Sequence, residues 1–232
     1  MELELVYKAI KNWKALIYSY QQGNIDSAKE LLEFLNQGSH FSIDASVIKE
    51  WSIRLAGVEN QFIHVYAGIE NNLFKLYLID SDSDAKGDFS YIVKREFNRK
   101  PPLNLPEMQL CSGPPISSES AIYRNFIFNM FCSAWMATQK NDFFRIITVP
   151  FDDYKRMELE TGQSCICFFG ITNEGKESND IKDFHIELIT IKDLKIDSIS
   201  KTAENYSTPR PPFTATDPNT NYQLLLKSDE YL

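Results

Sequence analysis

The sequence predicts an α+β fold: a mainly antiparallel sheet, N-terminal helices packed on one side, and a central buried helix near residues 118–138. Three observations carry this reading. Apolar residues recur at three- and four-residue steps over the first 55 positions. The period then falls to two, with short runs rich in aromatic and β-branched residues at 61–95 and again at 143–191. Between these regions lies a stretch, 118–138, with almost no polar face. Helical and extended chains place side chains on one face at periods of 3.6 and 2.0, so the change in period marks a change in structure.

The first helix is carried by Val6, Ala9, Ile10, Trp13, Leu16, Ile17 and Tyr20, and Gly23-Asn24 ends it. Ser27 and Glu30 have the spacing of a capping box, so a second helix is expected from there, with Leu31, Leu32 and Leu35 on its apolar face. A third begins near Asp44, buries Val47, Ile48, Trp51 and Leu55, and stops at Gly57. The runs "QFIHVYA" (61–67), "LFKLYLI" (73–79) and "FSYIVKR" (89–95) read as a three-stranded meander. Glu70-Asn71-Asn72 forms its first tight turn. Its second turn is "DSDSDAKGD" (80–88).

The segment 100–115 holds five of the ten prolines and serves as a connector, since proline breaks both helix and central strand. Ser117 or Ser118 opens the central helix, which presents Ile122, Tyr123, Phe126, Ile127, Met130, Phe131 and Trp135 almost all round and is expected to be covered on several sides. After it come a strand at 143–149, a short helix at about 152–160, and strands at 164–171 and 184–191. In the last, Phe184, Ile186 and Leu188 face one way, His185 and Glu187 the other. The resulting organisation is 1–100 (helices and meander), 101–116 (connector), 117–200 (central helix and strands) and 201–232 (an extended tail, in which 222–227 could return as an edge strand). One compact domain or two similar halves would both satisfy it. A weak internal echo bears on this: Gly68-Ile69 after one strand and Gly170-Ile171 after another, 102 positions apart, are each followed by x-Asn and a further strand, but only Gly, Ile and Asn are identical, and chance similarity between two hairpins explains them more readily than duplication.

Composition narrows the function. The 232 residues carry 24 basic and 32 acidic side chains, a net charge of −8. Phosphate backbones require concentrated positive charge, so a nucleic-acid partner is not expected; the basic cluster Lys94, Arg95, Arg99, Lys100 reads as a solvated strand end. No membrane span is expected either, because the most apolar stretch, 121–137, is short and holds Arg124, Asn125, Asn129 and Ser133. Four cysteines without CxxC spacing and no recognisable leader fit a reduced, cytoplasmic protein.

Chemistry is sparse. Asp80, Asp82 and Asp84 fall at positions 1, 3 and 5 of a calcium loop, but Ala85 and Tyr91 stand where glycine and a bidentate glutamate are needed. A hydrated hairpin loop without metal is expected, with Gly87 supplying a positive φ. His40, His64 and His185 have no histidine at ligand spacing. His185 and Glu187 share a strand face, an arrangement that suits an acid–base pair but is commoner on exposed strands. Cys165 and Cys167 read as buried small hydrophobes. No phosphate loop, nucleophile elbow or dinucleotide fingerprint occurs, and neither metal nor cofactor is expected. Two functions remain. The first is a non-catalytic protein-binding or assembly module, acting on another protein or by self-association. The second is an enzyme or small-ligand binder whose site gathers distant residues, with His64, Tyr66, Arg124 and Asn125 as candidates.

Overall fold

In a computed structural model, the structure describes residues 2–98, 116, 118–139, 141–173, 180–192, 207–210 and 221–231. The elements run α1 (Leu3–Gln21), α2 (Ile25–Leu35), β1 (Phe41–Asp44), α3 (Ala45–Arg54), β2 (Phe62–Glu70), β3 (Leu73–Asp80), α4 (Ser81–Lys86), β4 (Val93–Glu96), α5 (Ser118–Thr138), β5 (Ile146–Pro150), α6 (Phe151–Lys155), β6 (Ser164–Thr172), β7 (His185–Ile191), β8 (Thr208–Arg210) and α7 (Gln223–Glu230). A single turn of 3₁₀ helix, Ile181–Asp183, precedes β7. The strands form two antiparallel sheets, ordered β4-β3-β2-β5-β8 and β1-β6-β7. The α+β class with antiparallel sheets is therefore what the chain adopts.

Each sheet is built from both sides of the proline-rich segment. Strand β2 pairs with β5, and β1 pairs with β6. Alternation then sorts the side chains. Ile63, Val65, Ala67 and Ile69 of β2 and Cys165, Cys167, Phe169 and Ile171 of β6 enter one shared core. The opposite faces carry Tyr66 against Val6, Ala9 and Ile10 of α1, and Phe168 against Ala121 of α5. Both long helices contribute to two cores: α1 sends Trp13, Leu16, Ile17 and Tyr20 into the shared one, and α5 sends Phe128, Cys132, Trp135 and Met136.

The crossings depend on the two glycines of the sequence echo. A Cβ on Gly68 would lie 2.8 Å from the Tyr77 ring and 3.0 Å from the backbone of Ala9. One on Gly170 would lie 2.8 Å from Ile189, 3.1 Å from Arg124 Cβ and 3.2 Å from Glu187. Each glycine thus sits where a long helix meets its sheet.

Several local expectations change. Helix α2 is capped by Asn24, whose side chain accepts from the amides of Asp26 (2.9 Å) and Ser27 (3.3 Å). Ser27 therefore lies inside the first turn, and its hydroxyl meets Ser19 at 2.7 Å instead of closing a capping box. The β2–β3 turn is the expected tight one, with Asn71 and Asn72 at φ 53° and 58°, the left-handed pair that suits a two-residue hairpin. The aspartate run is not a hydrated loop: Asp80 caps a short helix, accepting from Ser83 N at 2.9 Å, and Gly87 ends it at φ 69°. Residues 222–227 do not return as a strand. They start α7, whose buried Leu224 and Leu225 lie next to each other and so need a helical face. The strand that does extend the sheet edge is β8, paired with β5. The proline-rich segment 101–115 lies outside the described residues.

Candidate functional site

Strand β2 turns His64 and Tyr66 to the face opposite the shared core, and α4 brings Asp84 over them. His64 Nδ1 lies 2.6 Å from Asp84 Oδ2, and the Tyr66 hydroxyl donates to the same oxygen. Asp84 Oδ1 accepts from the backbone N–H of Leu224, at 2.9 Å, in α7. All of these groups are buried: Asp84 and Tyr66 are 0% exposed, His64 1%. The Tyr66 phenol is held protonated, because burial first and the Asp84 carboxylate second push its pKa far above the ordinary value. The Tyr222 ring covers His64 at 4.8 Å between centroids, and His64 Nε2 has no hydrogen-bond partner.

Helix α7 makes a second polar seam on the same side. Asp229 accepts from both terminal nitrogens of Arg145, at 2.5 and 3.2 Å, and pairs with Lys14 at 2.9 Å. Partial burial raises the Asp229 pKa, but hydrogen bonds from Arg145 and Lys14 outweigh it and hold the carboxyl below its usual range. The Lys11 ammonium donates to the Tyr231 carbonyl.

Arg124 and Asn125 belong elsewhere. Arg124 NH1 reaches both oxygens of the buried Glu187 at 3.0 and 3.1 Å, and Asn125 donates to the Phe169 carbonyl at 2.7 Å. The four candidates therefore split into His64 with Tyr66 around Asp84, and Arg124 with Asn125 where α5 crosses β6 and β7. His64 bonds Asp84 beside the five-stranded sheet, and Arg124 bonds Glu187 on the three-stranded one. The second group also corrects the reading of β7: Glu187 is 1% exposed, because α5 covers the face that alternation alone would leave to solvent. His40 lies where β1 and β4 approach, bridged to Asn98, with its Nδ1 2.9 Å from Ser39 Oγ.

Cys165 and Cys167 point into the shared core, Cys165 Sγ 3.6 Å from the Ile43 carbonyl and Cys167 Sγ 3.6 Å from Thr190 Oγ1. A hydrogen bond with Cys167, then burial, push the Cys165 thiol up, and burial pushes Cys132 up to about 12. Such thiols are poor nucleophiles. A cleft of about 740 Å³ opens between α3 and the α6–β6 connection, with Asp44, Lys49, Tyr154, Lys155 and Glu158 among its walls. None of the four candidates lines it. Among the described residues, no three His, Cys, Asp or Glu side chains are placed to hold a metal ion, and no helix is long and apolar enough to cross a membrane.

The surface of α5 departs from expectation in the other direction. Its buried face is formed by Ala121, Arg124, Phe128, Cys132, Trp135 and Met136, while Met130 is 62% exposed, Phe131 44%, and Phe126 only half-buried. The helix is covered along one face, not on several sides. From Asn125 to Thr138 it carries no charged residue, although Asn129, Met130, Phe131, Ser133, Ala134, Ala137 and Thr138 are exposed. Comparison with protein-family models, curated proteins and solved structures yields no match.

Proposed function

We propose that the protein is a non-catalytic protein-binding or assembly module that works through the outer face of α5. The observation that carries this is the uncharged run Asn125–Thr138, with Met130 and Phe131 exposed in its centre. A solvated helix ordinarily bears charges on its outer face. In a chain of net charge −8, an uncharged stripe is also the part that a partner covers without desolvating ions. The polar groups support the same reading. The His64–Asp84–Tyr66 cluster is buried and the Arg124–Glu187 pair is closed on itself, so neither offers a reacting group to a substrate. A specific contact centred here buries about 1,200–2,000 Å² in total.

Sedimentation across a concentration series tests self-association, and crosslinking in native lysate followed by peptide mapping to α5 tests a foreign partner. Met130→Lys with Phe131→Lys removes either contact while leaving the circular dichroism spectrum unchanged. A wild-type protein that is monomeric throughout, with no crosslink to α5, refutes the reading. The alternative, a small-ligand binder, rests on the cleft beside α3. A ligand retained through purification and lost in Lys49→Glu would favour it.

A further inference from the structure

Beside α1, which covers the outer face of the five-stranded sheet, lies a fitted receptor for a second helix, built from α1, α4 and the sheet, and α7 is the helix that occupies it. Leu224 and Leu225 enter the core formed by Val6, Ala9, Ile10, Tyr66, Tyr77, Ile79 and Ile146. The Leu224 amide caps onto Asp84, and Asp229 takes Arg145 and Lys14. The helix shares no strand ladder with the rest, so it can leave without breaking sheet pairing. Charge is complementary across the seam: the receptor presents Lys11, Lys14 and Arg145, and the helix answers with Asp229 and the Tyr231 carbonyl. Even with α7 seated, two buried receptor atoms, His64 Nε2 and Arg145 Nε, have no hydrogen-bond partner. Both lie beside the docked segment: the Tyr222 ring that precedes α7 covers His64, and Asp229 of α7 takes the terminal nitrogens of Arg145.

We propose that α7 is a resident, exchangeable ligand of this surface, and that the surface binds a helix of the same chemistry on another protein. That ligand carries two adjacent leucines and a carboxylate five residues beyond the first. This is a second binding surface, independent of the outer face of α5. When α7 leaves, His64, Tyr66, Asp84, Arg145 and the two lysines become available together.

The test uses the full chain and a fluorescent peptide of residues 221–232. A tethered segment acts at an effective concentration of about millimolar, so the resident helix competes strongly with any added one. Weakening it in the full-length protein with Leu224→Ala, or with the milder Asp229→Ala, should tighten peptide binding about tenfold or more relative to wild type. Asp229→Ala in the peptide should weaken its binding, and Met130→Lys in the protein should leave it unaltered even if the α5 reading fails. In the wild-type protein, amides of 223–230 should exchange hydrogen faster than those of β2 and β3. No saturable binding to either natively folded variant, or equal affinity for wild type and variants, overturns the proposal. A dimer lost in Leu224→Ala but kept in Met130→Lys would place a second copy there and overturn the partner-protein assignment.

Discussion

Replacing Asp84 tests whether one carboxylate joins β2, α4 and α7. Asp84→Ala removes the acceptor of three donors: His64 Nδ1, the Tyr66 hydroxyl and the Leu224 amide. A buried donor left without a partner costs about 1–3 kcal/mol, so three set a ceiling of roughly 3–9 kcal/mol. Two effects reduce this. The substitution also removes a buried charge, whose desolvation opposes folding by several kcal/mol. The chain can also release α7 and rehydrate the donors, giving up the burial of Tyr222, Leu224 and Leu225 at roughly 1.5–3 kcal/mol each. A net loss of about 3–5 kcal/mol is expected. With 232 residues at about 2.1 cal/mol/K each, the unfolding entropy is about 490 cal/mol/K, so 1 kcal/mol lowers Tm by about 2 °C and the whole effect by about 6–10 °C. Asp84→Asn keeps the shape. Its single carbonyl can serve His64 and Tyr66, but its amide then faces the Leu224 N–H, donor against donor. It should cost less and show as faster exchange in α7. Calorimetry and hydrogen exchange together read both variants. A Tm shift below about 2 °C for Asp84→Ala would show that the carboxylate is not the junction of these elements.

Gly68→Ala and Gly170→Ala should each destabilise by about 1–3 kcal/mol in denaturant titration, since the added carbon meets a helix that cannot recede without leaving its core. Phe128→Ala, within the shared core, should cost about 3–5 kcal/mol, and the half-buried Phe126→Ala clearly less; equal losses would contradict the orientation of α5. Calcium titration should show nothing tighter than about millimolar, because Asp80 caps Ser83, Asp82 pairs with Lys86 and Asp84 is enclosed; a micromolar site would contradict this. The depressed pKa of Asp229 means that its contribution is present above the unfolded carboxyl value, near 3.9, and is lost as pH falls through the lower folded value. Exchange in α7 should therefore accelerate in acid below about pH 4, and Asp229→Asn should remove that acceleration.

Much of the fold was legible because periodicity reports burial directly. Helix α1 follows its apolar face, β2 and β3 follow the aromatic runs, and the Asn71-Asn72 turn follows from the residues that tolerate positive φ. The failures share one physical cause: they depend on what a distant segment covers. Strand β1, only four residues long, exists because β6 supplies a partner 120 or more positions away. Glu187 alternates onto a face that reads as solvent until α5 crosses it. Residues 222–227 have an apolar run that suits strand or helix, and a docking surface beneath Leu224 and Leu225 decides between them.

The candidate site shows the same limit. His64 and Tyr66 were recognisable as polar groups sharing one face of a central strand, and Asp84 as one member of an acidic run. Nothing local distinguishes Asp84 from Asp80 or Asp82. The short helix does so, by leaving Asp82 half-buried beside the exposed Lys86 and turning Asp84 inward after Asp80 has capped it. Arg145 and Asp229, 84 residues apart, carry no motif at all, yet their pairing fixes where α7 sits. The uncharged run of α5 is one signal in the sequence that remains a surface feature among the described residues. A core helix and a docking helix look alike when read residue by residue, since both lack charge. They differ in how much apolar surface the rest of the chain can cover. Here, among the described residues, the sheets cover one face of α5 and leave Met130 and Phe131 outside, the difference on which the proposed docking role rests.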